Sequence, residues 1–452
     1  MNKDNEVLAT EPVVRLLFKL AIPTVIAQLV NLLYNMVDRI YVGRIPEVGT
    51  LALAGLGVTF PIVMLVAAFA GLAGMGGSSR AAIAMGKGEI EKAEKYMGNA
   101  TALLLLFSIV LTVVFQLIKN PILLVFGASD QTLPYASSYL TIYLVGTVFV
   151  QIALGLNTFI TNQGFAKISM ATVCIGAVLN IILDPVFIFG FKLGVQGAAL
   201  ATIISQAVSA VWVLRFLTGK KTHLKLRLAN MIPDIRIIGS ILALGVSPFI
   251  MQSTESLIQL IFNTGMKNYG NDMYVAAMSI LFSIMQVVWL PMQGFAQGAQ
   301  PIVSYNFGAG NLERVKKCFR TLFITCMTFS LVIILLVELL PGMFMGIFTD
   351  NQELIQIGIP ALRVFMAGMC LMGAQTACQQ TFLALGESLV SMFLALLRKV
   401  ILLMPLALLL PVVTGWGVWG LFIAEPISDV IAVSTTVTMF AVRSRKLLRG
   451  NG

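Results

Sequence analysis

The sequence predicts an all-α integral membrane protein of twelve transmembrane helices in two pseudo-symmetric six-helix lobes, and three observations carry that expectation. Of the 452 residues, 58% are hydrophobic and 11% charged, against about 45–50% and about 25% in soluble domains. Apolar runs of about 20 residues, the length of helix that crosses a hydrocarbon core of about 30 Å, recur along the whole chain. The chain also repeats itself at an offset of 222 residues. None of the runs alternates in the segments of about 10 residues that mark a membrane β-barrel, so the spanning elements are helices, whose backbone groups bond within one segment.

In chain order the expected helices are α1 over 13–40, α2 over 51–79, α3 over 96–118, α4 over 133–160, α5 over 168–190 and α6 over 194–217. The second set is α7 over 237–263, α8 over 273–304, α9 over 318–340, α10 over 354–384, α11 over 388–411 and α12 over 416–442. The polar opening, MNKDNEVLATEP, has no charged region leading into a small-residue cleavage site, so no cleaved signal peptide is expected. After α2 and α8 come the basic runs GKGEIEKAEK (86–95) and GAGNLERVKK (308–317), in which a glycine pair permits a tight turn before a short surface helix.

The formal charge of +10 invites a nucleic-acid partner, but its distribution argues otherwise. With both termini cytoplasmic, the termini and the loops on their side hold 22 of the 30 Lys and Arg. The opposite loops hold five (Arg39, Arg44, Lys119, Lys192, Lys267), and three (Arg363, Arg398, Lys399) fall within spans. That asymmetry obeys the positive-inside rule and makes the charge topological: a multi-pass protein of the plasma (cytoplasmic) membrane, with no nucleic-acid partner. The five cysteines, Cys174, Cys318, Cys326, Cys370 and Cys378, lie in or beside spans without metal-site spacing and read as small buried hydrophobes. The single histidine, His223, sits in the basic connector TGKKTHLKLRLANMIPDIR and reads as solvated loop.

The repeat sets Gly86, Gly88, Glu91 and Lys95 against identical residues Gly308, Gly310, Glu313 and Lys317. NQGFAKISM (162–170) likewise faces ALGESLVSM (384–392), and one residue out of step GVQG (194–197) faces GVWG (417–420). Six helices per repeat is an even number, so both halves enter the membrane from one side and are parallel repeats about an axis along its normal. The polar connector near 218–236 divides an N-lobe, 1–222, from a C-lobe, 223–452. Two such lobes around a cleft are a transporter plan. No Gly-Lys-Ser/Thr completes a phosphate-binding loop after the glycine pairs, so transport has to draw on an ion gradient.

Six acids fall inside spans or at their edges: Asp38, Asp184, Glu255, Glu338, Glu425 and Asp429. A charged carboxylate at mid-bilayer costs about 2.5–3.5 kcal/mol on the lenient scale and therefore faces a cavity or a partner. Glu338, before LLPGMF at the outer end of α9, reaches the interface. Asn180 and Asp184, in VLNIILDPVFIFGF, are four residues apart and share one helix face. Asn157 in GLNTFITNQG and Thr202 in ALATIISQ offer further oxygens from the neighbouring α4 and α6, and Asp38 in LYNMVDRIYVG is a second acid of the same lobe. Asn and Thr also hydrogen-bond across packed membrane helices with no further role, and for Thr202 taken alone that reading leads. The repeat sets Asn180 and Asp184 against Leu402 and Leu406, so the pair is not echoed as framework would be. Glu425 and Asp429 on α12, beside Arg398 and Lys399 of α11, read as a buried ion-pair network or, less favoured, a substrate site.

On the motifs KLAIPTVIAQLVNLLYNMVDRIYVG, GLNTFITNQG, LNIILDPVFIFG with GVQGAALAT, and the two basic loops, the chain resembles the multidrug and toxic compound extrusion (MATE) family, in its bacterial DinF-like and MepA-like branch, over nearly its whole length. The resemblance implies two lobes forming a V and export of cationic amphipathic compounds in exchange for H⁺ or Na⁺. It places a cation site at Asp38, Asn157, Asn180, Asp184 and Thr202, with Na⁺ held at Asp38, Asn180 and Asp184, and a bend of α1 at Pro23. Glu255, in MQSTESLIQ, matches an acid of the family's seventh helix, whereas the corresponding tenth-helix position falls near Ala374, where no acid stands. Glu255, Gln28, Gln252 and Gln375 are the candidates for the substrate cleft. A carboxyl taken out of water favours its neutral form, which suits a proton, and amide and hydroxyl oxygens beside it suit a hard cation. Small organic cations and membrane lipid are the expected partners, with no cofactor and a monomeric state.

A major-facilitator transporter shares the two-fold plan but not the loop after α2, where GGSSRAAIAMGKGE lacks its acidic-basic signature. A lipid-linked oligosaccharide flippase of the wider superfamily would line its cleft with more cations. A membrane enzyme such as a prenyl transferase needs clustered acids for Mg²⁺. The only dense acid cluster, Glu89, Glu91 and Glu94, is interleaved with lysines, so the chain is not read as an enzyme.

Overall fold

In the computed structural model, which describes residues 5–447, each of the twelve apolar runs is helical. The observed bounds are α1 Val13–Gly43, α2 Gly49–Gly86, α3 Ile90–Val125, α5 Ala166–Gly190, α6 Val195–Leu217 and α7 Ile235–Tyr269. The series continues with α8 Met273–Gly308, α9 Leu312–Leu339, α10 Gln352–Ala384, α11 Ser388–Val413 and α12 Val418–Leu447. Span α4 is a broken helix, Leu133–Val145 and Thr147–Asn162, bent by 62°. Lys3 and Arg449 of the charge count lie outside the described residues.

Capping fixes several starts. The side chain of Asp234 accepts from the Arg236 amide at 2.9 Å to begin α7, and Asn351 does the same for Glu353 of α10 at 3.0 Å. The repeated GVQG and GVWG motifs prove structurally equivalent: Gly194 and Gly417 stand before α6 and α12 with φ of 56° and 54°, a conformation that suits glycine. The separate surface helices expected after α2 and α8 are not found. Gly88 and Gly310 make the tight turns, with φ of 80° and 76°, but the basic runs simply begin α3 and α9. Nothing in them breaks the helix, and their polar faces meet the connector or water. A short helix Asn5–Thr10 precedes α1, and another, Pro341–Gly346, follows α9.

Packing divides along the bundle's long axis. One core draws residues from both lobes, among them Leu16, Leu20, Ala73 and Ala81 with Ala299, Ile302, Cys318 and Ala377. Two others keep to one lobe each: Val42, Leu56, Leu111, Leu140 and Ala198 in the N-lobe, and Phe262, Leu281, Val337, Phe365 and Leu403 in the C-lobe. The shared core lies toward the basic loops and the separate cores toward the opposite end, so the lobes are joined at one end and part at the other, in a V. At the join, α7 presses on α2 so closely that a Cβ on Gly245 would stand 1.8 Å from the Leu72 carbonyl oxygen. Gln300 donates to Ser79 Oγ across the same join at 2.6 Å.

Candidate functional site

Helix α5 carries two irregularities where the sequence places its carboxylate. Pro185 has no amide hydrogen, so the Ile181 carbonyl loses its helical donor, and Val186–Gly190 then widens into a π-helical turn. In α4 a second π-turn, Ile152–Leu156, immediately precedes Asn157. Such turns re-aim the side chains beside them and recur at functional sites.

Asp184 is fully buried and Asn180 nearly so, at 0% and 2% exposed. Asn180 Nδ2 donates to Asp184 Oδ1 at 3.3 Å and to Thr202 Oγ1 at 3.4 Å, both long bonds. From α1, the Asp38 carboxyl comes within interacting range of that of Asp184. Two carboxylates so placed repel each other unless a proton or a cation lies between them. Asp38 Oδ1, Asp184 Oδ2, Asn157 Oδ1, Asn180 Oδ1 and Ser205 Oγ are all buried without a hydrogen-bond partner among the described residues. Buried oxygens rarely stay unsatisfied, and this set of hard donors suits a small hard cation.

Asn157, Asn180 and Thr202 line one cavity of about 60 Å³ together with Asn31, Tyr34 and Ser205. That is room for a few water molecules or a small, partly hydrated ion, and far below the roughly 300–1,000 Å³ of a pocket for a drug-sized ligand. The structure therefore gathers Asn157, Asn180 and Thr202 on one cavity and joins the Asp38–Asp184 pair to it through Asn180. Sequence reasoning missed Tyr34, Ser205 and Tyr139, whose hydroxyl lies toward Thr202. Tyr34 was findable, since it lies four residues before Asp38 and so on its face of α1. Among the described residues no three His, Cys, Asp or Glu side chains gather as a metal-binding cluster.

The C-lobe acids are arranged otherwise. Arg398 Nε lies 2.9 Å from Asp429 Oδ1 and its Nη2 3.4 Å from Glu425 Oε1, the ion-pair network of the first alternative. Glu255 joins it through Lys399 Nζ at 2.9 Å, so this cleft candidate is neutralised by a built-in cation while remaining about a quarter exposed (26%). Glu338 pairs with Arg363 at 3.7 Å at the partly exposed end of α9.

Two expectations need correction. Gln375 is not on the cleft wall: at 2% exposed it is buried in the C-lobe, where its Nε2 donates to Gln379 Oε1 at 2.9 Å. Gln379 in turn reaches Ser247, which bonds Ser391, while Gln375 Oε1 is left without a partner among the described residues. Helix α1 continues as helix through the buried Pro23. His223 is not simply solvated; it stacks on Phe165 at 4.8 Å between ring centroids, and its amide donates to Gln163 Oε1 at 2.9 Å. Gln252 is exposed, and Gln28 Nε2 donates across the lobes to Gln297 Oε1 at 3.2 Å.

Comparison with known proteins gives a consistent result. A MatE family model matches residues 23–186 and again 248–409, one match in each half. Multidrug export protein MepA of Staphylococcus aureus (strain N315) is 25% identical over 442 residues, covering 96% of this chain and 95% of that protein. Its namesake from Staphylococcus saprophyticus is 26% identical over 429 residues, covering 94% and 93%. A solved structure described as "MATE in the bent conformation" superposes with a TM-score of 0.91 at 23% identity, covering 99% of this chain and 98% of the other. Another, an outward-facing multidrug resistance MATE family transporter of the MOP superfamily, gives 0.91 at 24% identity and covers 99% of both chains.

Proposed function

The chain belongs to the MatE family, and from that premise we propose that it is a cation-coupled antiporter that exports cationic amphipathic compounds across the plasma membrane in exchange for H⁺ or Na⁺. The observation that carries the coupling half of this reading is the approach of the Asp38 and Asp184 carboxyls among unpartnered buried amide and hydroxyl oxygens, next to a cavity with room only for water or a small ion. Export of organic compounds rests on the relatives named as multidrug export proteins.

With the basic loops in the cytoplasm, as the positive-inside rule places them, the V is open to the outside. Helix α1 connects the ion site to the join between lobes. Its outer part carries Asp38, while its inner part is held to α8, where Thr24 Oγ1 donates to the Gly294 carbonyl at 2.6 Å. An ion shared by Asp38 and Asp184 draws the outer part of α1 toward α5, and the missing amide of Pro23 leaves the inner part of the helix the softer one. The ion can shift the cleft's orientation only by binding one state more tightly than the other. A carboxyl pair that comes together in one state and parts in the other supplies that difference. The substrate occupies the cleft, between Gln28 and Gln252 near the join and the partly exposed Glu255.

The test is transport of a fluorescent organic cation by protein in sealed proteoliposomes, with pH and Na⁺ gradients imposed separately. The expected result is substrate movement against the ion's flow, reversing when that gradient reverses. Movement indifferent to both gradients would contradict the coupling.

A further inference from the structure

The segments before α1 and α7 occupy equivalent places in the repeat, and each is gripped from the other side of the join. Leu8 and Asn230 are 222 residues apart, as are Val13 and Ile235, the first residues of their helices. Ahead of α1, the C-lobe takes hold of the backbone. Arg314 Nη2 of α9 donates to the Glu11 carbonyl at 2.7 Å and to that of Leu8 at 3.1 Å, and Asn306 Nδ2 of α8 donates to Leu8 at 2.9 Å. Arg314 is itself held by Asn306 Oδ1 at 3.1 Å. Ahead of α7, the N-lobe does the same. Asn99 of α3 donates from Nδ2 to the Asn230 carbonyl at 3.2 Å, and its Oδ1 accepts the Asp234 amide at 2.8 Å. Glu94 accepts the Lys225 amide at 3.0 Å and pairs with Arg227 at 3.3 Å.

Three of the gripping groups are buried, with Asn99 at 1%, Asn306 at 0% and Glu94 at 7% exposed, and Arg314 is half-buried. They are also not copies of each other: the repeat sets Arg314 against Lys92 and Asn99 against Thr321, so two different polar devices hold equivalent stretches of backbone. The connector rests directly on α3, where a Cβ on Gly98 would lie 2.2 Å from the Asn230 carbonyl oxygen. Asp234 serves twice, since it also caps α7. None of these groups lies near the ion site, and the proposed exchange does not use them.

We infer that Arg314 with Asn306, and Asn99 with Glu94, are positioning residues that tie the two lobes together on the basic-loop side through a pair of crossed straps, residues 5–12 and 225–234. This rests on the proposed alternation of the cleft: opening toward the basic loops moves each first helix relative to the lobe that grips its leading strap, so the grips must let go. Their strength then sets how often the cleft turns inward. Each grip includes charge-assisted bonds, from Arg314 on residues 5–12 and to Glu94 on 225–234, backed by an amide side chain, Asn306 or Asn99.

The experiment is hydrogen exchange read by mass spectrometry on the full chain in lipid nanodiscs, without substrate. Arg314→Ala is expected to speed exchange in 5–12, and Asn99→Ala in 225–237, each by about tenfold or more. Arg314→Lys, which keeps the charge but loses the planar fork, is expected to fall between wild type and Arg314→Ala. The double variant is expected also to expose the inner parts of α2 and α8, 72–86 and 294–308, while the outer cores around 136–144 and 361–369 keep their protection. Unchanged exchange in the straps, or inner helices as protected in the double variant as in wild type, would overturn the inference. So would a loss of protection spread evenly over the chain, since a latch leaves the outer cores intact. The readout is taken on resting protein, so a failure of ion-driven transport would count against the proposed function and leave this result to stand by itself.

Discussion

Replacing Asp184 by asparagine keeps the shape of the side chain and removes its charge. Asp184 is 0% exposed, and its one bond from a neighbouring amide is the 3.3 Å contact from Asn180 to Oδ1. Oδ2 has no partner among the described residues, so the new amide displaces no protein hydrogen bond there, and its carbonyl can still accept from Asn180. Stability should therefore change by no more than about 1 kcal/mol. The ion loses much more. A unit cation within about 4 Å of a carboxylate gains about 4 kcal/mol at an effective dielectric constant of about 20, nearly three decades in affinity. Asp38 survives in the variant and retains part of the attraction. At ion concentrations that half-fill the wild-type site, Asp184→Asn should be almost empty, and ion-driven efflux of a fluorescent organic cation from proteoliposomes should fall at least about 100-fold. Thermal unfolding of the same preparation should be close to wild type. Undiminished efflux would refute the role of Asp184, and a collapsed fold would show it to be structural.

Arg398→Ala leaves the carboxylates of Glu425 and Asp429, 1% and 0% exposed, without their shared cation, and should destabilise the C-lobe by about 3–5 kcal/mol; an unchanged unfolding midpoint would contradict this. Glu255→Gln removes the partner of Lys399 from a carboxylate already neutralised, so binding of an organic cation, measured by fluorescence titration, should weaken less than about tenfold, whereas a 100-fold loss would make Glu255 a direct substrate anchor. Gly245→Ala introduces a carbon 1.8 Å from the Leu72 carbonyl oxygen and should force the lobes apart, visible as lost transport with faster hydrogen exchange along 72–86; normal transport would show the join to be loose. Pro23→Ala restores an amide to the Lys19 carbonyl and stiffens α1, so turnover should drop while ion affinity stays within about threefold, and an equal loss of both would place Pro23 in the ion site instead.

The spans were legible because the membrane imposes a length and polarity that a single sequence displays. Thus α6 was expected over 194–217 and is Val195–Leu217. The break in α4 was not, since no proline interrupts the middle of 133–160; it falls at Gly146, which packs so closely on Ile203 of α6 that a side chain there would collide with it. Within the site, helical spacing alone paired Asn180 with Asp184, but the approach of Asp38 from α1 is a matter of tertiary structure, and the family resemblance pointed to it before the coordinates did. Tyr139 and Ser205 were overlooked because a hydroxyl in an apolar run looks the same whether it bonds its own helix or faces a cavity. Gln375 was misplaced for the related reason that an amide in a membrane span signals a polar neighbour without saying whether that neighbour is the cleft or Gln379. The straps were invisible for a different reason: they are held mostly by their backbone carbonyl and amide groups, which nearly every residue has.

The central claim is that a small cation binds between Asp38 and Asp184, and it is tested most directly by binding rather than by transport. Purified wild-type protein and Asp184→Asn should be compared for ²²Na⁺ retention and, in weakly buffered detergent, for proton release on addition of an organic cation. The account predicts that at least one of the two signals is present in wild type and absent from the variant. Equal signals from both proteins, or neither signal from the wild type, would contradict it.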